Sequence, residues 1–473
     1  MIISGEDTMK PSIQPNILFL FTDDKRFNTI RALGNNDIRT PTMDYLACSG
    51  TSFSRAYIMG GTCPAVCMPS RAMMLTGKTL FHLQDSGESI PEDHTLMPEL
   101  FRQKGYTTFG TGKWHNGPSS YARSFSTGGQ IFFGGMDDHW NVPACDFDPA
   151  GNYPPPRENP WDPGFGDIQY TLKQFDHINR GRHSTEMFSE EARGFLLNYR
   201  EEAPFFMYVS FMAPHDPRTM PQEFLNLYDP ETITLPPNFA PQHPFDNGEL
   251  TVRDEMLAGF PRTPTEIRRH LAEYYAMISH LDFEIGRILD ALRATGQFEN
   301  TIIILSGDNG LALGSHGLMG KQNNYDHSVH IPLVMTGPGI PSGAVKDDLC
   351  YLPDIFPTLC DLCDIPKPKS VEGKSLAPVL KGQSNQDPRT SLFFAYKDVQ
   401  RSVMDDRYKL IEYCVDGKRR TQLFDLAADP WECDSLAEKE EHRETVRHMR
   451  SLLVQWREEL DDPDDCFWEG FGV

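Results

Sequence analysis

A chain of 473 residues with 39% hydrophobic content is long enough for one large core and a second, smaller unit. Its formal net charge of −23 argues against nucleic acid or an anionic membrane surface as partner, since a neutralising basic face would be needed. An anionic group could still bind in a local cationic pocket, while most of the charge reads as solvated surface that favours solubility. No stretch approaches the ~18 apolar residues of a membrane span. The apolar run 17–21 lacks the flanks and cleavage site of a secretory signal, so a cytoplasmic address is expected. The cysteines at 48, 63, 67, 145, 350, 360, 363, 414, 433 and 466 form no compact disulfide framework. Cys360-Asp361-Leu362-Cys363 has redox or zinc spacing but no matching second pair, and is read as a structural helix pair.

In chain order, an apolar run at 17–21 leads into Thr22-Asp23-Asp24. An amphipathic piece at 97–105 precedes a run at 106–110, which leads to Gly112-Lys113-Trp114-His115. The stretch 128–166, rich in Gly, Pro and aromatics, shows no sustained period; it is either a source of substrate-shaping side chains (Asp138, His139, Trp140, Trp161) or a self-packed loop. A helix at 184–199 precedes the run 205–211 and Ala213-Pro214-His215. The clearest helix spans 264–295, with apolar residues at helical spacing until Gly296 stops it, and the run 302–305 precedes Asp308-Asn309. Short continuous apolar runs alternating with helices predict an α/β fold with a parallel sheet buried on both faces. Polar residues just past the carboxyl ends of such strands are where open α/β sheets bind ligands. Residues 367–369 and 381–385 read as linkers. Beyond them, strands at 392–396, 401–404 and 408–413 and a helix at 439–460 predict a small antiparallel sheet with one covering helix. The domains are placed at 1–375 and 376–473.

Asp23, Asp24, Asp308 and Asn309 form an all-oxygen set suited to a hard divalent cation, although each pair alone is also a good turn sequence. A lone cysteine is most often a buried structural thiol, and a histidine after a buried strand is often a cap. Cys67-Met68-Pro69-Ser70-Arg71, with Leu75-Thr76-Gly77, points elsewhere. It resembles the Cys-x-Pro-x-Arg signature of the sulfatase family, whose cysteine a maturation enzyme oxidises to formylglycine. Gly112-Lys113-Trp114-His115, Ala213-Pro214-His215 and Gly320-Lys321 followed by Tyr325 resemble further motifs of that family. So do Thr40-Pro41-Thr42-Met43-Asp44-Tyr45-Leu46 and Leu423-Phe424-Asp425-Leu426-Ala427-Ala428-Asp429-Pro430, so the likeness spans nearly the whole chain. Met68, Asp326 in place of Glu and His330 in place of Arg depart from the family pattern without touching the core set. Cys63 lacks the Pro and Arg offsets and reads as structural.

The resemblance implies an alkaline-phosphatase-like α/β/α sandwich with a small C-terminal sheet domain. It also implies one calcium ion on Asp23, Asp24, Asp308, Asn309 and the modified Cys67. A hydrated aldehyde at Cys67 would offer one hydroxyl to attack sulfur and a second to expel sulfate and restore the aldehyde. Arg71 would activate it, Lys113 and Lys321 would bind sulfate oxygens, His115 would act as base, and His215 with Lys321 would serve the leaving group.

The core motifs do not select the substrate. Asp216 and Arg218 near His215, with the 133–140 neighbourhood that includes His139 and Trp140, resemble bacterial carbohydrate sulfatases, and an acid and a base among aromatics suit a sugar. These residues and His330 are the candidate substrate contacts, with a local salt bridge of Asp216 as the competing explanation. The rival readings are an aryl or choline sulfatase, a phosphonate or phosphate monoester hydrolase of the same superfamily, and a catalytically silent sulfated-glycan binder. Asn309 disfavours the hydrolase, which often carries His there, and the intact maturation motif disfavours the binder.

Overall fold

The computed structural model describes residues 14–161, 172–383 and 387–472. An eight-stranded sheet forms its centre. In chain order the strands are β1 (Asn16–Thr22), β2 (Thr51–Phe53), β3 (Thr107–Lys113), β4 (Thr127–Phe132), β5 (Phe205–Ser210), β6 (Thr301–Gly307), β7 (Leu333–Thr336) and β8 (Ala344–Lys346). They lie in the order β8-β2-β7-β6-β1-β5-β3-β4, and the five from β6 to β4 run parallel. Every residue of β1, β5 and β6 is buried, which is why these strands read as continuous apolar runs rather than alternating ones.

Alternation persists within the burial and sorts side chains into two layers. Ile17, Phe19 and Phe21 join one hydrophobic cluster; Leu18 and Leu20 join another on the opposite face. Helices α1 (Pro41–Ser49), α4 (Ser184–Asn198) and α5 (Pro264–Ala294) pack on the Leu18 face. On the Phe19 face lie α2 (Cys67–Thr76), α3 (Met97–Gln103) and α6 (Ile355–Leu362). The longest, α5, starts at Thr263, whose hydroxyl accepts the Glu266 N–H at 3.3 Å, and has Pro264 in its first turn. Cys360 and Cys363 are buried at the end of α6. Among the described residues no helix is long and apolar enough to cross a membrane.

The aperiodic stretch 128–166 contains more order than its sequence announces. Its first residues complete β4, and Asn141–Ala144 pairs with His177–Arg180; Gly128 and Gly129 remove the alternating side chains that would mark a strand. The remainder packs on itself, with buried Asp137 accepting from Asn159 Nδ2 at 2.8 and 3.0 Å and Asp138 accepting from the Trp140 N–H at 2.9 Å. Residues 162–166 lie outside the described residues, as do Ser384 and Asn385 of the second linker.

The C-terminal sheet has the three expected strands, β9 (Leu392–Tyr396), β10 (Gln400–Met404) and β11 (Tyr408–Val415), and two more. One is β12 (Lys418–Asp425), whose Lys418-Arg419-Arg420 opening conceals it. The other is Gly60–Gly61, which pairs in parallel with β9. Gly60 has φ +93°, and a Cβ there would lie 2.0 Å from the Ala395 carbonyl oxygen, so only glycine allows the approach. Helix α7 (Arg443–Glu459) covers this sheet with Met449 and Leu453 buried.

Candidate active site

Strand register decides which side chains meet. Thr22 lies opposite Gly307, Phe21 opposite Ser210, and Ser210 opposite Gly112. The next residues, Asp23, Asp308 and Lys113, therefore meet at the carboxyl edge, where Lys113 Nζ pairs with Asp23 Oδ2. Asp24 adopts a left-handed backbone, φ 60°, a strain of roughly 1–2 kcal/mol. Its N–H donates to Asp308 Oδ1 at 3.0 Å, and its Oδ1 accepts from Lys321 Nζ at 2.6 Å and Asn309 Nδ2 at 2.7 Å.

Cys67 is the first residue of α2, 3% exposed, so the positive end of the helix faces its sulfur. All of α2 but Met68 is buried, which leaves the helix without an amphipathic stripe. Cys67 Sγ lies 3.5 Å from His115 Nδ1 and 3.7 Å from Lys113 Nζ. Arg71, one turn on and on the same face, donates from Nε to Asp308 Oδ2 at 2.9 Å and from Nη1 to Ser210 Oγ at 2.7 Å. Gly135, from the aperiodic stretch, closes over His115; a Cβ there would sit 3.0 Å from the imidazole Cε1.

Burial dominates the electrostatics. It pushes the Cys67 thiol up to about 11, against the pull of Lys113 and Lys321. Burial, then Asp308, raises the Asp23 carboxyl well above its ordinary value. Asp308 experiences the same burial, but Arg71, Lys113 and Lys321 outweigh it and hold that carboxyl below the usual range. Burial and then Lys113 and Arg71 keep His115 well below an ordinary imidazole, and burial with Lys321 does the same to His215. Both rings are thus neutral at pH 7. His215 Nδ1 lies 2.8 Å from the Asp216 carbonyl oxygen and donates to it, leaving Nε2, 3.6 Å from Asp24 Oδ2, as the basic nitrogen.

The donor set fits a hard cation. Asp23 Oδ1 and Asn309 Oδ1 are buried with no hydrogen-bond partner among the described residues. Ligand atoms of Asp23, Cys67 and Asp308 lie within 4.8 Å of one another, as do those of Asp23, Asp24 and His215. Carboxylates this close, and carboxylate and amide oxygens buried without a partner, are costly until a divalent ion meets them, and oxygen ligands suit calcium.

The candidate substrate contacts fare differently. Asp216 is buried beside His215, but its partner is Arg253, not Arg218. Arg218 turns instead to α5, where Nη2 reaches His270 Nδ1 at 2.9 Å. His139 is fully buried and engages both ring nitrogens, with Ser184 Oγ at 2.7 Å and the His215 carbonyl oxygen at 3.0 Å; it orients His215 and has no nitrogen left for substrate. Trp140 sets its indole edge-on against His183 at 5.0 Å. His330 is not at a pocket rim: it is 8% exposed, stacked between Phe27 at 4.0 Å and Tyr57 at 4.5 Å, with Asp326 at 3.4 Å. An imidazole is flat enough for that slot, which explains its standing between two aromatic rings. Sequence reasoning missed Ser210, Gln322, Arg253 and Asp254; only Ser210, a hydroxyl ending an apolar strand, carried a signal.

The sulfatase family model matches residues 15–365. The chain belongs to the sulfatase family. A second model, N-sulphoglucosamine sulphohydrolase, C-terminal, matches residues 314–459 of this sulfatase. It is 25% identical to an N-acetylglucosamine-6-O-sulfatase of Bacteroides thetaiotaomicron, over 95% of this chain and 88% of the relative. It is 28% identical to an ulvan-active sulfatase of Formosa agariphila, over 95% of this chain and 82% of the relative. A solved structure in complex with its substrate D-glucosamine-2-N,6-O-disulfate superposes with a TM-score of 0.73 at 24% identity, covering 95% of this chain and 99% of that one. The alkaline-phosphatase-like fold is thereby shown, with its parallel-rich central sheet and C-terminal antiparallel sheet. The protein is a sulfuric ester hydrolase.

Proposed function

We propose that this sulfatase removes sulfate from a saccharide, using a formylglycine made from Cys67 and a calcium ion held by Asp23, Asp24, Asp308 and Asn309. The observation that carries the reading is the seat of Cys67 Sγ. It heads a buried helix within 4.8 Å of the Asp23 and Asp308 oxygens, and 3.5 Å from a histidine held neutral. A formylglycine-generating enzyme is the transient partner this requires. Calcium, when bound, polarises sulfate oxygens and lowers the pKa of a coordinated hydroxyl.

The chain's own residues divide the remaining work. Arg71, locked between Asp308 and Ser210, holds positive charge beside residue 67. Lys113 adds a cation for the sulfate oxygens. Neutral His115 is placed to take the proton from a hydroxyl on residue 67. Burial works to strip the proton of Lys321, but Asp24 together with Cys67, Asp254 and Asp23 outweighs it and Lys321 stays charged, so it brings a proton to the leaving-group side that His215 also faces. Asp216 and its ion-pair partner beside His215 support a polar, sugar-like leaving group, and the relatives named for N-acetylglucosamine-6-O-sulfate and ulvan support the saccharide class.

Peptide mass spectrometry across Cys67, paired with turnover of a panel of saccharide and aryl sulfates, tests the reading. Aldehyde at 67 with saccharide turnover is expected, and Cys67→Ala should abolish it. An unmodified thiol in fully active protein would refute the mechanism, and turnover confined to aryl sulfates would refute the saccharide.

A further inference from the structure

Asp216 and Gln322 are chain neighbours of His215 and Lys321, and each is tied to one of two adjacent, mutually bonded loop residues, Arg253 and Asp254. Arg253 grips Asp216 end-on, with Nη1 3.2 Å from Oδ1 and Nη2 paired with Oδ2. Nη1 also donates to Asp254 Oδ1 at 2.8 Å, and Asp254 Oδ2 accepts from Gln322 Nε2 at 2.7 Å. Asp216 Oδ1 is 3.4 Å from His215 Nδ1, and His215 Nε2 is 3.6 Å from Asp24 Oδ2. Arg253 therefore stands on the leaving-group side, a carboxylate and an imidazole away from the cation-binding aspartates.

Exposure and donor count separate this arginine from a simple brace. The Asp216 and Asp254 side chains are 7% and 10% exposed, whereas that of Arg253 is 24% exposed, so Arg253 is the most accessible of the three. A guanidinium has five N–H groups. The three bonds use both hydrogens of Nη1 and one of Nη2. The Nε–H and the second Nη2–H, side by side on one edge of the plane, find no acceptor among the described residues. Such an edge matches a carboxylate or a sulfate through two parallel bonds. Arg218, whose charge also acts on Asp216, leaves Nη1 buried without an acceptor, so a second cation with a spare donor flanks the same carboxylate.

We propose that the free edge of Arg253 binds a second anionic group of the substrate, a carboxylate or a further sulfate beside the ester that is cleaved. The proposal rests on the saccharide reading and narrows it to acidic sugars. The test measures kcat/KM of the matured enzyme on two substrate pairs: a sulfated uronate with its carboxyl-reduced counterpart, and a disulfated sugar with its monosulfated counterpart. Wild type should prefer one acidic member by about 10- to 100-fold, the worth of a hydrogen-bonded charged pair. Arg253→Gln should erase that preference mainly through KM, and Arg253→Lys should restore part of it. The pair that shows the preference names the group. Because each preference is a ratio within one protein sample, loss of folded variant cancels. Equal rates on acidic and neutral members in wild type, or a preference that survives Arg253→Gln, would overturn the proposal while leaving the saccharide reading intact. Turnover of aryl sulfate with none of the four sugars would sink both.

Discussion

Arg71 Nε and Asp308 Oδ2 meet at 2.9 Å with both side chains almost wholly buried, one from the second turn of a helix and one from the end of a strand. The pair joins the two halves of the site, and Asp23 lies 3.7 Å from the same guanidinium. Replacing Arg71 with Met takes from buried Asp308 its ion-pair partner and leaves Lys113, paired with Asp23, as the nearest remaining counter-charge. We expect a loss of about 3–5 kcal/mol in urea unfolding. Adding Asp308→Asn in the same chain should recover part of it, as coupled neighbours do. A loss below ~1 kcal/mol would show that the pair does not hold the site.

Calcium should stabilise the fold by mass action on the Asp23, Asp24, Asp308 and Asn309 oxygens. After chelation, calcium at 100 times its dissociation constant should add about 2.7 kcal/mol, read as a rise in melting temperature. Asn309→Ala, which removes one of the two unpartnered oxygens, should shrink the rise. An identical rise in wild type and variant would place the ion elsewhere.

As a plain thiol, Cys67 should be sluggish. With its pKa near 11, only about one molecule in a thousand is thiolate at pH 8, and the thiolate is the reactive form. In calcium-free protein, iodoacetamide should label exposed Cys48 and Cys466 well before Cys67, and the Cys67 rate should climb about tenfold per pH unit up to pH 10. Rapid labelling of Cys67 at pH 8, followed by peptide mapping, would contradict this.

Glu432 sets a pH dependence at the seam between the two sheets. Lys409 Nζ lies 2.7 Å from Asp326 Oδ1 and 2.8 Å from Glu432 Oε1, and burial with Asp326 nearby pushes Glu432 up to about 7 despite Lys409. A raised carboxyl binds its proton more tightly in the folded state, so its stabilising contribution is complete below about pH 4.5 and lost as pH rises through 7. Glu432→Gln should therefore flatten the stability curve between pH 4.5 and 7, measured by denaturant unfolding at each pH. Parallel curves for variant and wild type would remove Glu432 as the cause.

The residues that sequence made legible are those whose surroundings are written locally. Asp23 and Asp308 could be placed because strands buried on both faces are continuous apolar runs, and the polar residue ending each run must lie at the sheet edge. Cys67, Lys113, His115 and Lys321 came from motifs, since the packing of α2 offers no periodicity to read. Asp216 shows where legibility stops. Arg218, two residues away, was the natural partner, yet it turns to His270 on α5 while Arg253 arrives from an aperiodic loop. His330 and His139 failed as substrate contacts for the same reason: Phe27 and Tyr57, or Ser184 and the His215 carbonyl, reach them only once distant segments fold together.

The Gly60–Gly61 strand, a few residues ahead of Cys67, has a meaning in time as well as in space. Its partner, Ala395-Tyr396, is synthesised long after it, so the backbone leading into residue 67 stays unpinned on this side until the C-terminal sheet has left the ribosome. Under the maturation proposed above, an enzyme acting on the thiol would meet this less constrained backbone until β9 docks against Gly60. On that proposal the length of chain between the two strands would set a waiting period in the order of synthesis, and destabilising the C-terminal sheet would lengthen it.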